Sequence, residues 1–244
     1  NFSSVFAWNI FFYSGFLLIV SIYLWVMMDR KMEKYHLIVG LVAFLWRLAL
    51  TTATGLIFGF LVEREAYDSA ILAPLFIAMS FLLGLAVFFI LMRTCLIISK
   101  RTLDVGIMQP FGQLLRIFIV AVLYFVAVMH LTSIYADEHQ GIETFILLSN
   151  NFERLIFWGG QIFIGSAIPL FLLFSLRGGL LELRITMASI LIIIGGVAQI
   201  YIIVIGGQSY PLVLFPGYQI SSPFFDGIIA NYSPSALEFL LGFH

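Results

Sequence analysis

The chain has 244 residues, of which 62% are hydrophobic and only 10% are charged, and its mean hydropathy is +1.09. Soluble domains are about half apolar, so this composition excludes an ordinary soluble domain and indicates an integral membrane protein. A formal net charge of −1 gives no basic field for nucleic acid, and the single cysteine, Cys95, excludes an intrachain disulfide and a cysteine-ligated iron–sulfur cluster.

Six apolar runs are long enough to cross a bilayer. A spanning helix needs about 20 apolar residues, and the bilayer interior requires backbone polar groups to be paired within the segment. The predicted spans lie near residues 5–28, 36–61, 70–98, 111–135, 153–175 and 184–206. The sequence therefore predicts an all-α integral membrane protein in which residues 1–206 form one transmembrane helical bundle.

The region after the last span has a different composition. Residues 207–234 are rich in Gly, Pro, Ser and aromatic residues, and Pro211 and Pro216 prevent one continuous helix. We expect an outer interfacial segment there, because amphipathic aromatic side chains favour the membrane–water boundary. Residues 235–244 resemble the start of another helix, and the first residue is Asn1 rather than Met. Both ends therefore predict a fragment of a longer chain.

Basic residues alternate between the connections and predict the orientation, because cytoplasmic loops are enriched in Lys and Arg. The odd-numbered connections hold Arg30, Lys31, Lys34, Arg93, Lys100, Arg101, Arg177 and Arg184. The two intervening connections hold one basic residue each, Arg64 and Arg154. We therefore expect a multi-pass protein of the cytoplasmic membrane, with the N-terminus of the fragment and the C-terminal tail on the outer side.

An acidic turn interrupts the apolar sequence between the second and third spans. It contains Glu63, Arg64, Tyr67 and Asp68, and apolar residues resume at Ala70. One interpretation is a solvated loop. The alternative is that at least one carboxylate belongs to a site, because clustered titratable groups beside an apolar cavity often mark functional sites.

His130 lies inside a predicted span, about two turns from the outer end of the fourth. A neutral imidazole there can accept or donate a proton near neutral pH. The alternative is a core histidine that only satisfies its hydrogen bonds. His36, His139 and His244 fall at or beyond span ends, so paired histidines for a buried b-type haem are not expected.

Three further polar residues lie inside the first two spans. Arg47 is near the middle of the second span, where an ionisable group is costly and is a functional candidate by default. It shares a face with Thr51 and Gly55, and such small residues also suit close helix packing. Asn9 and Tyr13 lie one turn apart in the first span, where helix–helix hydrogen bonding is the alternative to a ligand contact.

These polar residues would form a cluster among the apolar side chains of the outer leaflet. The combination suits a quinol, which needs partners for two oxygens, acceptors for two protons and an apolar groove for its tail. We expect an outward-opening cleft for its ring. A transporter site near broken helices suits almost the same composition, and a structural anchor for outer redox subunits is a third interpretation.

Three stretches of the sequence resemble a known family. VFAWNIFFYSGF, WRLALTTATGLIFGFLVEREAYDSAILAPLFI and GGQSYPLVLFPGYQISSPFFDGIIANYSPSALEFLLG are similar to polysulfide-reductase-type membrane subunits of the NrfD/PsrC family, most of all to its DsrP and HybB branch. The resemblance implies about eight to ten spans in the full chain. It also implies a subunit without haem or an iron–sulfur cluster that exchanges electrons between menaquinone, or another quinone, and an outer-face, ferredoxin-like iron–sulfur subunit.

The resemblance further implies a partner complex, and it implies that His130 and the turn of Tyr67 and Asp68 face the quinone; the other site residues are expected from the residue pattern. The DsrP side implies the sulfite-reduction-associated DsrMKJOP complex, with other membrane and cytochrome subunits as partners. The HybB side implies a hydrogenase membrane subunit, and a proton- or ion-translocating module is the remaining alternative. We expect His130, Asp68 and Glu63 to exchange protons with the quinol. We expect no metal ligands, and the quinone-pocket contacts expected are Tyr67, Arg64, Arg47, Asn9 and Tyr13.

Overall fold

The computed structural model describes residues 5–29, 31–62, 64–101, 105–174 and 180–211. Glu63, most of the predicted interfacial segment and the predicted helix start at 235–244 lie outside these residues. The helices are α1 (Val5–Met28), α2 (His36–Gly59), α3 (Leu72–Ile98), α4 (Val105–Tyr135), α5 (Gln140–Leu147), α6 (Phe152–Phe174) and α7 (Leu181–Ser209). Short 3₁₀ turns, Glu33–Tyr35 and Asp137–His139, precede α2 and α5.

Every helix except α5 is long and apolar enough to cross a membrane. The described residues contain no strand. The prediction of an all-α integral membrane protein with six spanning helices is therefore confirmed.

Two helices extend beyond their predicted spans. α4 begins at Val105 rather than at 111 and continues through Pro110. A proline removes only one backbone N–H, so a long apolar helix can continue past one near its start. α7 runs to Ser209 rather than to 206, so the first residues expected in the interfacial segment are helical.

The six long helices form two unequal halves. The four-helix half consists of α3, α4, α6 and α7, with α7 packed on the other three and α5 in contact with α4 and α6. The two-helix half is the α1–α2 pair, which joins the rest where α2 packs on α3. Phe89, Leu115 and Ile192 are fully enclosed in the four-helix half, whereas α1 and α2 expose most of their apolar side chains. The buried core therefore lies in the four-helix half.

Two close helix contacts depend on glycine. Gly165 of α6 faces Gly195 of α7 so closely that a Cβ on Gly195 would lie 2.0 Å from the Gly165 Cα. A Cβ on Gly55 of α2 would lie 2.7 Å from the Cα of Ala73, near the start of α3. Small residues allow helix backbones to approach. The face of α2 that carries Thr51 and Gly55 therefore packs against α3.

The two ends of the bundle differ in charge. The acidic end is formed by residues 60–62, 64–71, 136–151 and 207–211, and the basic end by residues 29, 31–35, 99–101 and 180–184. At the basic end, Arg93 Nε lies 2.6 Å from Glu182 Oε1 in an ion pair between α3 and α7. The candidate site lies at the opposite, acidic end.

Two stretches widen from α-helical to π-helical geometry near the acidic end. They are Ile156–Ala167 in α6 and Ile202–Gly206 in α7. π-Helical turns are rare in proteins and often occur at functional sites. Both stretches supply residues to the site described next.

Candidate functional site

A buried histidine–carboxylate pair lies at the acidic end of the four-helix half. His130 Nδ1 of α4 is 2.7 Å from Glu143 Oε2 of α5, which is a hydrogen-bond distance. Both side chains are only 9% exposed. The His130 ring also meets the ring of Phe157 edge-on, with centroids 4.9 Å apart. Because imidazole and carboxylate groups both take up and release protons, the pair can act as a fixed proton acceptor.

The short helix α5 places Glu143 against His130. The chain leaves α4 at Tyr135, passes through the 3₁₀ turn Asp137–His139 and folds back as α5. α5 is amphipathic: Ile142, Phe145 and Ile146 are buried, and Glu143 is buried beside them. An apolar face therefore fixes the helix on the bundle, and the carboxylate is carried into the interior with it.

A small cavity lies beside the pair. It encloses about 30 Å³ and is lined by polar groups of Glu65, His130, Ser133 and Glu143, with apolar side chains around them. A cavity of this size has room for about one water molecule. The outward-opening cleft expected for a quinone ring is thus not formed around His130 by the described residues.

The turn between α2 and α3 closes the cavity on one side. Tyr67 is buried, and its hydroxyl donates to the Val204 carbonyl, 3.2 Å away, in the π-helical turn of α7. Arg64 Nη1 donates to the Gln208 carbonyl at 3.2 Å, at the C-terminal end of α7. A Cβ on Gly207 would lie 2.9 Å from the Tyr67 ring, so glycine permits this close contact. The expected neighbourhood of Tyr67 and His130 is present, since both line the cavity.

Asp68 does not line the cavity. Its backbone has a positive φ of 54°, which is uncommon for a residue other than glycine, and its side chain is exposed. The structure therefore places this predicted proton acceptor at the surface. Glu63, the other predicted carboxylate of the turn, lies outside the described residues.

Glu65 is the carboxylate of the turn that does line the cavity. Its backbone carbonyl accepts a hydrogen bond from His139 Nδ1 at 2.7 Å. Partial burial raises the pKa of the Glu65 carboxyl above its usual value; nearby His139 opposes this rise and Glu138 adds to it. Burial, followed by the charge of Glu65, likewise raises the pKa of the Tyr210 phenol. Glu65 thus connects the cavity with the surface groups of the acidic end.

Sequence reasoning missed Glu143, Glu65 and Tyr210 as members of this site. Glu143 falls between two predicted spans, where carboxylates are normally solvated. The signal for it was the apolar spacing of Ile142, Phe145 and Ile146, which indicates a helix with one buried face. For Glu65 and Tyr210 the sequence carries no comparable signal.

The polar residues of the two-helix half are not brought to the cavity. Asn9 Oδ1 accepts a hydrogen bond from Thr54 Oγ1 at 3.4 Å, which matches the helix–helix alternative. Tyr13 is 49% exposed. The exposed Arg47 guanidinium lies over the Phe16 ring, 5.4 Å from its centroid. The structure thus separates the predicted quinone contacts into two groups.

The described residues contain no group of three or more His, Cys, Asp or Glu side chains placed to hold a metal ion. The expectation that metal centres belong to partner subunits stays a prediction. What the site offers by itself is proton chemistry.

Residues 1–211 match the family described as "Polysulphide reductase, NrfD". The chain is also 31% identical over 243 residues to the "Hdr-like menaquinol oxidoreductase integral membrane subunit" of Archaeoglobus fulgidus, an alignment that covers 98% of this chain and 61% of the relative. The chain therefore spans about three fifths of the length of that relative.

Proposed function

Because the chain belongs to the polysulphide reductase, NrfD, family, we propose that it is a quinone-reactive integral membrane subunit of a respiratory oxidoreductase complex. The similar protein from Archaeoglobus fulgidus is named as a menaquinol oxidoreductase membrane subunit, and we extend that chemistry to this chain. The observation that carries the proposal is the buried His130–Glu143 pair beside a polar cavity in an otherwise apolar bundle.

The pair has the chemistry that quinol oxidation requires. Oxidation of a quinol breaks two O–H bonds, releases two protons and passes two electrons to an acceptor. The His130–Glu143 pair takes up a proton from a hydroquinone hydroxyl as a general base through one intervening water. The electrons leave to an iron–sulfur subunit, which we propose docks at the acidic end. This chain handles protons, and its partner supplies the metal centres.

The imidazole of His130 and the carboxylate of Glu143 suit a hydroquinone, but the cavity beside them is too small for its ring. Pockets for drug-sized ligands enclose about 300–1,000 Å³, whereas this cavity encloses about 30 Å³. We therefore assign the cavity to protons rather than to the ring. Ring contacts from Arg64, Tyr67 and the two-helix residues Asn9, Tyr13 and Arg47 stay predictions, as do the proton-transfer roles of Glu63 and Asp68.

The orientation and the partner complex are part of the same proposal. Basic residues favour the cytoplasmic side, so we place the acidic end at the outer face of the cytoplasmic membrane. The resemblance of the sequence favours a DsrMKJOP-type, sulfite-reduction-associated complex over a HybB-type hydrogenase. In either complex the proposed quinone is menaquinone, and the proposed partners are an iron–sulfur subunit and further membrane and cytochrome subunits.

The proposal is tested in membranes that contain the intact complex. We expect His130→Ala to lower the oxidation rate of dimethylnaphthoquinol, a short-chain menaquinol analogue, by about 100-fold or more, because general bases typically contribute that much. Glu182→Gln is the matched control, since it removes a paired carboxylate at the basic end. A fully assembled His130→Ala complex that oxidises the analogue at the wild-type rate would contradict the proposal.

A further inference from the structure

We propose that the cavity beside His130 is a hydrated proton exit, in which Glu65 receives protons from the His130–Glu143 pair and passes them to solvent at the turn Asp137–His139. The inference rests on the proposed function, because quinol oxidation supplies the protons. It adds a route, a water site and a relay residue that the function alone does not require.

The cavity has the size and lining that a buried water needs. Its volume of about 30 Å³ exceeds the minimum for one water, and a buried water needs two to four polar partners. Glu65, His130, Ser133 and Glu143 contribute polar side chains to one lining. A cavity lined only by apolar groups would stay dry, so the composition of this lining favours water.

Glu65 stands between this cavity and the solvent. Its side chain lines the cavity together with the pair, while the residue itself is partly exposed. Its carboxylate also lies close to Gly141 in the first turn of α5, where a Cβ would be 3.6 Å from Glu65 Oε2 and 2.0 Å from the Tyr210 hydroxyl. The absence of a side chain at Gly141 thus leaves room for both groups at the outer edge of the cavity.

The turn Asp137–His139 is held against Glu65. The hydrogen bond from His139 Nδ1 to the Glu65 carbonyl fixes the two segments together. All three residues of the turn are solvent-accessible to some degree, and two of them are acidic. A proton that leaves Glu65 therefore reaches titratable surface groups without crossing the apolar interior.

The transfers balance without any further reactant. A hydroquinone O–H bond breaks, its proton goes to the His130–Glu143 pair, and its electron goes to the iron–sulfur partner. The pair then returns to its starting state by giving the proton through cavity water to the Glu65 carboxylate. Glu65 releases it to solvent, the second proton of the quinol follows the same route, and the second electron goes to the same iron–sulfur partner.

The direction of the pH dependence follows from the requirement that Glu65 accept a proton. A carboxyl group accepts one only when it is deprotonated, and partial burial raises the pKa of Glu65. The rate should therefore rise with pH through that raised pKa and then level. The titratable groups that face Glu65 are Tyr67, His130, Glu138, His139, Glu143 and Tyr210.

The test compares Glu65→Gln with the wild type in intact complex, with dimethylnaphthoquinol oxidation followed across pH. We expect the rate to fall at least about tenfold and the part of the rising acidic limb that Glu65 causes to disappear from the pH profile. Glu182→Gln is the control, because it removes a carboxylate at the basic end that does not line the cavity.

The outcomes separate this inference from the function it rests on. Wild-type rate and pH profile in Glu65→Gln, together with the expected loss in His130→Ala, would overturn the proton exit and leave the function standing. Wild-type rates in both variants would remove the function as well. If Glu65→Gln does not assemble, Glu65→Asp decides: a shifted acidic limb supports the exit, and an unchanged one overturns it.

Discussion

The two-helix half and the four-helix half both carry polar side chains on apolar helices, but the four-helix half encloses far more of them. In the span of α2, 6% of the residues are buried, against 44% in α7. Arg47 accordingly rests on one aromatic ring at an exposed surface, whereas His130 meets a carboxylate in the interior. This difference shows that a polar residue within a span becomes part of a site when a second structural element places a partner group against it.

The largest expected effect tests whether His130 and Glu143 act as one unit. We expect Glu143→Gln to reduce quinol-analogue oxidation nearly as much as His130→Ala, about 100-fold or more. The double variant should be little worse than either single one, because residues that act as a unit are strongly non-additive. The rates of quinol-analogue oxidation by the three variants in the assembled complex give the coupling between His130 and Glu143. If the fold losses of rate in the two single variants multiply in the double variant, the two residues act independently. The contrast with the two-helix half would then be wrong.

A second, smaller effect is the loss of stability when a Cβ is added at a helix contact, which reports how tightly each half is packed. We expect Gly195→Ala to destabilise the protein by about 1–3 kcal/mol, since its Cβ would press on the backbone of Gly165. Gly15→Ala should cost less, because its Cβ would displace the Trp46 side chain rather than backbone. Gly84→Ala, with open space around its Cβ, is the control. Thermal unfolding in detergent ranks the three, and an equal loss for Gly15 and Gly195 would contradict the difference in packing.

A third prediction concerns single hydroxyl groups. Tyr67→Phe removes the hydrogen bond to the Val204 carbonyl, and we expect it to cost about 1 kcal/mol of unfolding free energy. Thr54→Val in the two-helix half should cost less, because the bond of Thr54 to Asn9 is long, at 3.4 Å, and its bond to the Leu50 carbonyl, at 3.0 Å, lies within its own helix, where such bonds add little stability. Unfolding midpoints of the two variants, measured in parallel, rank the two losses of stability. A larger loss for Thr54→Val than for Tyr67→Phe would contradict the prediction.

The smallest expected effect concerns Arg47. Because Arg47 is exposed and does not line the cavity, we expect Arg47→Gln to change quinol-analogue oxidation by no more than about twofold, the size of a typical surface substitution. Oxidation kinetics of the complex measure it. A tenfold increase in KM would instead show that the quinone pocket extends to the two-helix half, as the sequence predicts.

The spans could be predicted from the sequence because the bilayer fixes both the length and the apolar character of a crossing helix. His130 could be singled out for the same reason, as an ionisable residue within a span. Glu143 could not, because its role depends on α5 folding back across the end of the bundle. Only the tertiary contacts of Ile142, Phe145 and Ile146 establish that fold-back.

The acidic turn shows a second limit of the sequence. Glu65 and Asp68 are three positions apart in a connection without regular structure, so no periodicity indicates which of them faces inward. The positive φ of Asp68 and the hydrogen bond of the Glu65 carbonyl to His139 decide it in the fold. Neither can be read from residue types alone, which is why the predicted carboxylate is at the surface and its neighbour lines the cavity.

The π-helical turn Ile202–Gly206 determines the direction in which the residues that follow it in α7 face. One residue of an α-helix corresponds to a rotation of about 100°, and a π-helical turn contains one residue more than an α-helical one. Winding this stretch as a regular α-helix with all its residues present would therefore rotate Gly207 away from the cavity by about 100°, whereas deleting Val204 would restore regular winding and leave Gly207 in place. The wide turn absorbs one extra residue, so that the end of α7 stays in register with Tyr67.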